Sequence, residues 1–411
     1  MTVYAKTRKR KLIDLLHDNG VSISYDRVLE ISSQLGEAVI TKYIEEGVVC
    51  PPVLRKGIFT TSAIDNIDHN PSAITANTAF HGTSISIFQH PSIDNHGQER
   101  QPIYVNENRV RKVPELPESF TSVPPAYVMN KKPNPPATII PNLPEVSMFK
   151  NNLTQEYEWL DKVMLTENVD AQMSISWSAH HAKQRRNQPF EVSISSLLPL
   201  LRDSAHSVAT IKHCMNKIGE TVRFLNPEQI PVIAADQPLF ALAKQIQWQW
   251  PERYGEDKFV IMFGGLHIEM AALKSLGTVL KESGWISVLV DAGVASPGTA
   301  ESFLSATRIT KTRQAHQITA CALYKLVNAA YDDYVSDTSE THEDPISFEQ
   351  WCDKQKGESP QFMFWYHILN LELTTFILIR SFREANFNMY REALSELIPN
   401  FFANDNVHYS R

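Results

Sequence analysis

The sequence predicts a mixed α/β (α+β) fold with long insertions, flanked by an N-terminal helical pair and a C-terminal all-helical region. Three observations predict it. Gly57–Pro91 reads as two short strands, Ile58–Ile64 and Thr83–Phe88, the first rich in β-branched residues and the second alternating Ser/Thr with Ile. Ile230–Gln237 and Lys258–Phe263 are apolar runs, each followed by a helical pattern: Pro238 opens LFALAKQIQWQW, and Gly264-Gly265 precede Leu266–Leu280. From Gly298 onward the apolar spacing is helical throughout, interrupted by the acidic, Ser/Thr-rich loop Ser336–Pro345.

The N-terminal region, 1–50, reads as two helices. Arg8–His17 carries Leu12, Leu15 and Leu16 on one face, and Asp18-Asn19-Gly20 ends it. Ser22–Tyr25 starts a second helix to about Gly47, with Val28, Ile31, Leu35, Val39 and Tyr43 on its apolar face. Such a pair is either a packing unit or a DNA-binding helix-turn-helix. Residues 51–97 supply the first core strands. Residues 98–150 hold ten prolines between Pro102 and Pro144, which excludes regular structure and predicts a long surface loop or linker. The remainder of the α/β core is expected over 151–297, with helices at Leu153–Met164 and Val192–Ile218, and the helical region over 298–411.

Composition narrows the function classes. The chain has 411 residues, 43% of them apolar, enough for real cores. Cys50, Cys214, Cys321 and Cys352 are scattered without a CxxC pair, which argues against a zinc ribbon or a secreted disulfide framework and for a reducing compartment. The chain opens polar and basic, so no signal peptide is expected. Phe362–Ile379 is the most apolar run. It contains His367, Asn370 and Glu372, so a buried helix is expected rather than a membrane span. The net charge of −7 is concentrated at the end of the chain: Asp332–Arg411 has 14 acidic against 6 basic residues. Before it lie basic clusters at Lys6–Lys11, Arg109/Arg111/Lys112, Lys183/Arg185/Arg186 and Arg308/Lys311/Arg313, each a solvated face or part of an electrostatic footprint.

The candidate site residues sit at strand ends. Asp65 ends the first strand with Asp68 and His69 just beyond it. Asp236 follows the strand at Val232, where it also suits a helix N-cap. His267 and Glu269 occupy the first turn of the next helix, at the carboxyl end of a strand, where sites cluster in open sheets. Asp65, Asn66, Asp68 and Asn70 are equally good turn formers. His180-His181 and the set His206, His213 and Cys214 lack the spacing of a zinc site. GxGxxG, GxxxxGK[ST], GxSxG and HExxH patterns are absent.

Several phrases resemble a large, multi-copy eukaryotic protein family derived from transposable elements. They are SISYDRVLEI (22–31), the stretch from VVCPPVLRKG to SIFQHP (48–91), the stretch from ADQPLFALAK to ALKSLG (235–277) and NVHYSR at the end. The resemblance implies a ribonuclease-H-like (DDE transposase-like) core: a mixed sheet with a hairpin first, one catalytic Asp on strand one, another after strand four and a third acid on a later helix. Carried over, Asp65, Asp236 and Glu269 would hold Mg²⁺ or Mn²⁺ for a DNA nuclease or strand transferase, and His267 would orient the scissile phosphate. Glu384, Glu392 and Glu396 are the other candidates for the third acid, although they read as a polar helix face. The relatives continue past NVHYSR, so a chain cut short within its catalytic domain, and a degenerate, inactive protein, is part of the expectation. DNA and a second copy of the chain are the expected partners, with no membrane, in an intracellular and nuclear rather than cytoplasmic setting. The alternative is a non-catalytic nucleic-acid binder or a protein-interaction scaffold built on the acidic C-terminal helices.

Overall fold

The computed structural model describes residues 1–69, 80–105, 113–128, 148–166, 176–185, 191–340, 344–406 and 409. In chain order it begins with α1 (Thr2–Thr7), α2 (Arg10–Asp18), α3 (Tyr25–Glu46), β1 (Thr60–His69), β2 (Phe80–Gln89) and α4 (Glu118–Thr121). There follow α5 (Met148–Thr166), α6 (Trp177–Gln184), β3 (Ile194–Leu197), α7 (Val208–Leu225), β4 (Val232–Ala235), α8 (Gln237–Gln249), α9 (Pro251–Tyr254) and β5 (Val260–Phe263). The rest is helical: α10 (Gly265–Leu280), α11 (Trp285–Asp291), α12 (Pro297–Phe303), α13 (Ile309–Glu340), α14 (Phe348–Glu358), α15 (Pro360–Arg383) and α16 (Phe387–Ala403). The chain divides into two compact units, Met1–Thr138 with Pro189–Gly264, and Ile139–Gln188 with Gly265–Arg411.

The first unit is built on one five-stranded mixed sheet in the order β3-β2-β1-β4-β5. β1 and β2, and β2 and β3, run antiparallel, while β1, β4 and β5 run parallel. One face buries Ile64, Ile85, Ile87 and Ile233 against Ile211, Met215, Ile218 and Val222 of α7 and Leu239, Ala243 and Ile246 of α8. Each Val, Leu, Ile and Met side chain among them contributes roughly 1.5–3 kcal/mol on burial. The polar residues that alternate into this face are satisfied: Ser62 Oγ donates to Val232 O at 2.8 Å, and Gln89 Nε2 donates to Arg55 O at 2.7 Å. Tyr43, Val48, Val49 and Cys50, at and beyond the end of α3, join the same core. Arg100, its side chain buried, pairs with Glu46 and donates to the carbonyls of Cys50 and Pro51, so the N-terminal helices are fastened to the sheet.

The second unit is all helix. One apolar cluster packs Trp159 and Leu160 of α5, Trp177 of α6, Ala320 of α13, Trp351 of α14, and Leu369, Leu373 and Phe376 of α15. A second gathers Leu280, Trp285, Leu289, Phe303, Ala315 and Ile368. α15 is the helix long and apolar enough to cross a bilayer among the described residues, yet 61% of its apolar window is buried inside the protein. Ionisable groups sit within it. Glu372 pairs with His316 at 2.7 Å, and Arg380 with Glu156 at 2.6 Å.

Several expectations need correcting. The first strands are longer than read: β1 and β2 pair over ten residues each, from Thr60↔Gln89 to His69↔Phe80, so Asp65 lies inside β1 rather than at its end. Polar side chains do not end a strand whose backbone still has a partner. Val192–Ile218 is not one helix. Ile194–Leu197 pairs with β2 as an edge strand, and Pro199 separates it from α7, which starts at Val208. α13 runs on to Glu340, through the start of the expected loop, and one helical turn, α4, interrupts the Pro-rich segment. Glu392 is not on a polar face but is buried beside Asn152. Asn70, the 109–112 basic cluster, Arg186 and most of NVHYSR lie outside the described residues.

Candidate functional site

Asp65 and Asp236 are brought together by strand register. The parallel pairing of β1 with β4 runs from Thr61↔Val232 to Ile64↔Ala235; Asp65 is the next residue on β1, and Asp236 is the residue that follows β4. Neighbouring strands lie about 4.8 Å apart. Alternation points both aspartates to the face opposite buried Ile64 and Ala235, the face that carries Ala63 and Ala234. This is the carboxyl end of β4, where the parallel ladder stops while β1 continues alone against β2.

The two carboxylates differ in their attachments. Asp236 is the N-cap of α8: its backbone is extended, and Oδ1 accepts from Leu239 N at 3.1 Å, which leaves Oδ2 for another partner. Pro238 in the first turn suits that start. Asp65 is exposed and directly opposite Ser84, whose Oγ donates to the Asp65 carbonyl at 3.3 Å. Among the described residues the Asp65 carboxylate has neither a hydrogen-bond donor nor a cation. Two unneutralised carboxylates on adjacent strands repel one another, and a divalent cation with oxygen preference relieves that repulsion.

His267 and Glu269 are on α10, in the helical unit. Glu269 is buried there and engaged by Arg313, which donates Nε to Oε1 and Nη2 to Oε2 at 2.7 Å. That bidentate geometry uses both carboxylate oxygens. Gly265, at the start of the same helix, sits under an aromatic ring: a Cβ there would lie 3.0 Å from Phe382 Cε1. Close packing therefore accounts for this glycine without a phosphate cradle. Of the other third-acid candidates, Glu384 approaches Arg380 Nε at 3.5 Å, and burial pushes the Glu392 carboxyl up. Among the described residues no group of three or more His, Cys, Asp or Glu is arranged to hold a metal.

The histidines set aside on spacing have structural partners. His213 Nε2 bonds Phe120 O at 2.7 Å, and burial holds its pKa below the usual imidazole range. His181 belongs to a buried network around Glu156, which also accepts from Trp177 Nε1 at 2.7 Å. Sequence reasoning missed these networks and the Arg313 pairing, because partners 21 to 224 residues apart leave no local pattern. Only the basic cluster at 308–313 hinted at Arg313.

The model of the domain of unknown function DUF8702 matches residues 176–411, a span that takes in Asp236, His267 and Glu269 and excludes Asp65. No curated protein and no solved structure matches the chain. With more than half of its length matched, the chain belongs to the DUF8702 family.

Proposed function

We propose that the first unit is a ribonuclease-H-like core whose Asp65–Asp236 pair binds a divalent cation for phosphodiester cleavage in DNA. The observation that carries this reading is the juxtaposition of two carboxylates, without a cation partner, at neighbouring positions of β1 and β4. The strand order supports it: an antiparallel hairpin first, β4 and β5 added parallel to β1, and a helix after β4. So does the resemblance of the surrounding phrases to transposon-derived proteins.

The donor set fits one Mg²⁺ or Mn²⁺ rather than a closed cage. Mg²⁺ is commonly held by one or two carboxylates, with water and substrate phosphate completing its shell. Bound there, the ion would polarise a phosphate oxygen and lower the pKa of its water. Asp65, held extended by its pairing with Ser84 of β2, fixes the position of one ligand. Asp236 holds the second while its other oxygen caps α8, so the helix start and the ligand are positioned together. Glu269 in its Arg313 pair does not offer the third carboxylate, which favours a weak or relic activity over an efficient two-ion centre.

The test is Mn²⁺-dependent nicking of plasmid DNA by the full chain beside Asp65→Asn, Asp236→Asn and Glu269→Gln. Loss in both aspartate variants, with unchanged unfolding temperatures, supports the reading. Equal nicking by wild type and both Asn variants overturns it. A loss in Glu269→Gln without loss of stability would restore Glu269 as third ligand.

A further inference from the structure

A second polar constellation lies at the far end of α8. From Asp236 at its N-cap to Trp250 at its C-cap the helix covers 13 residues, about 20 Å. Here Lys212 Nζ sits 3.9 Å from the centre of the Trp250 ring and 5.8 Å from that of Tyr254, while the Arg253 guanidinium lies 5.6 Å over Tyr254. Asn216 Oδ1 accepts from Tyr254 OH at 2.8 Å and from Arg253 Nη2 at 3.5 Å, which orients the ring and the guanidinium together. Tyr127 is tethered next to this group through its backbone: Gln249 Nε2 donates to its carbonyl at 3.3 Å, and the residue is 83% exposed.

The charge balance is uneven. The acids of the neighbouring loop are taken elsewhere, Glu256 by Lys244 and Asp257 by Lys258, each at 2.8 Å. Among the described residues Lys212 and Arg253 have no carboxylate partner. A lysine covering a tryptophan is an ordinary cation–π contact, and cations suit the end of a helix. Neither explains a second, adjacent cation that repels the first. Burial and the Arg253 charge together hold the Lys212 ammonium below the usual lysine range. Two cations without a carboxylate partner beside the partly exposed Trp250 and the exposed Tyr127 form a combination suited to single-stranded nucleic acid, with phosphates on the cations and bases stacked on those two rings.

We propose that Lys212, Arg253, Trp250 and Tyr127 form a binding site for a single nucleic-acid strand, separate from the Asp65–Asp236 pair. The test is fluorescence anisotropy of a fluorescein-labelled oligothymidylate 20-mer with the full chain, in EDTA so that the carboxylate pair is silent. The Lys212→Gln/Arg253→Gln double variant, which removes both charges while leaving an unbranched polar side chain at each position, should keep the wild-type unfolding temperature and bind at least tenfold more weakly. Its slope of log K against log salt should be shallower by about 1.4, two phosphate contacts at ~0.7 each. Tyr127→Ala, at an exposed ring, should weaken binding without moving the unfolding temperature. Unchanged affinity in the double variant, or no binding by wild type, overturns the proposal. Displacement by inorganic phosphate at matched ionic strength would instead make this a small-anion site, and equal affinity for duplex DNA would remove the role of stacking. Either result overturns the single-strand assignment.

Discussion

The three most buried acids of the helical unit and the Asp65–Asp236 pair of the sheet unit are treated in opposite ways. In the helical unit Glu156, Glu269 and Glu372 are buried, and each is matched to a cation or a histidine: Arg380 with His181, Arg313, and His316. In the sheet unit Asp65 and Asp236 are partly or fully exposed, adjacent, and without a cation. A buried acid is paired or, like Glu392, has its carboxyl pushed up by burial, because an isolated charge in a low-dielectric core costs several kcal/mol. Exposed acids side by side are under no such demand, so their juxtaposition leaves a ligand site as the informative reading. A carboxylate with a built-in partner serves the fold, and one without is available for chemistry.

The comparison breaks most visibly at Arg380. Arg380→Met leaves Glu156 buried without its guanidinium and should cost about 3–5 kcal/mol in urea unfolding. Pairing it with Glu156→Gln should recover much of that loss. A single-variant cost under about 1 kcal/mol would show that the network is not holding the helices. In the sheet unit the largest effect should come from a ligand. Mn²⁺ at about 100 times its dissociation constant should stabilise the protein by ~2.7 kcal/mol, and Asp65→Asn or Asp236→Asn should erase that increment while Glu156→Gln leaves it.

The sheet core also carries two buried thiols, Cys50 and Cys214. Burial pushes both Cys50 and Cys214 up to about 12. The native state therefore keeps protons that the unfolded chain has already lost. Stability should fall as pH rises from about 9 towards 12, by ~1.4 kcal/mol per pH unit per thiol. Urea midpoints measured from pH 8 to 10.5 should reveal this slope, and a Cys50→Ala/Cys214→Ala variant should flatten it. The smallest effect separates the two roles of Asp236. Asp236→Ala should lose ~1 kcal/mol relative to Asp236→Asn in metal-free buffer, because Asn still caps α8 and Ala does not. Equal stability of the two would argue that the cap contributes nothing.

Much of this was legible locally. β4, β5 and the helices after them follow from apolar runs ended by Asp236 and by Gly264-Gly265, and the N-cap role of Asp236 follows from Pro238 two residues on. The edge strand β3 was hidden because ISSL at 194–197 has no periodicity of its own, and only the open edge of β2 recruits it. The full length of β1 was hidden for a similar reason: Asp65, Asn66 and Asp68 read as turn formers until ten backbone pairings with β2 hold them extended.

The sequence by itself determined the apolar runs of β4 and β5 with the helices after them, the isolation of four cysteines and the place of Asp236 just after a strand, because these depend on neighbours a few residues apart. Tertiary structure alone decided which acids meet. Asp65 reaches Asp236 through parallel register across some 170 residues, and Glu269 meets Arg313 across a helix pair 44 residues apart. Hydrophobic burial is non-directional and sets the elements, whereas a carboxylate's role depends on which charge stands within a few ångströms of it.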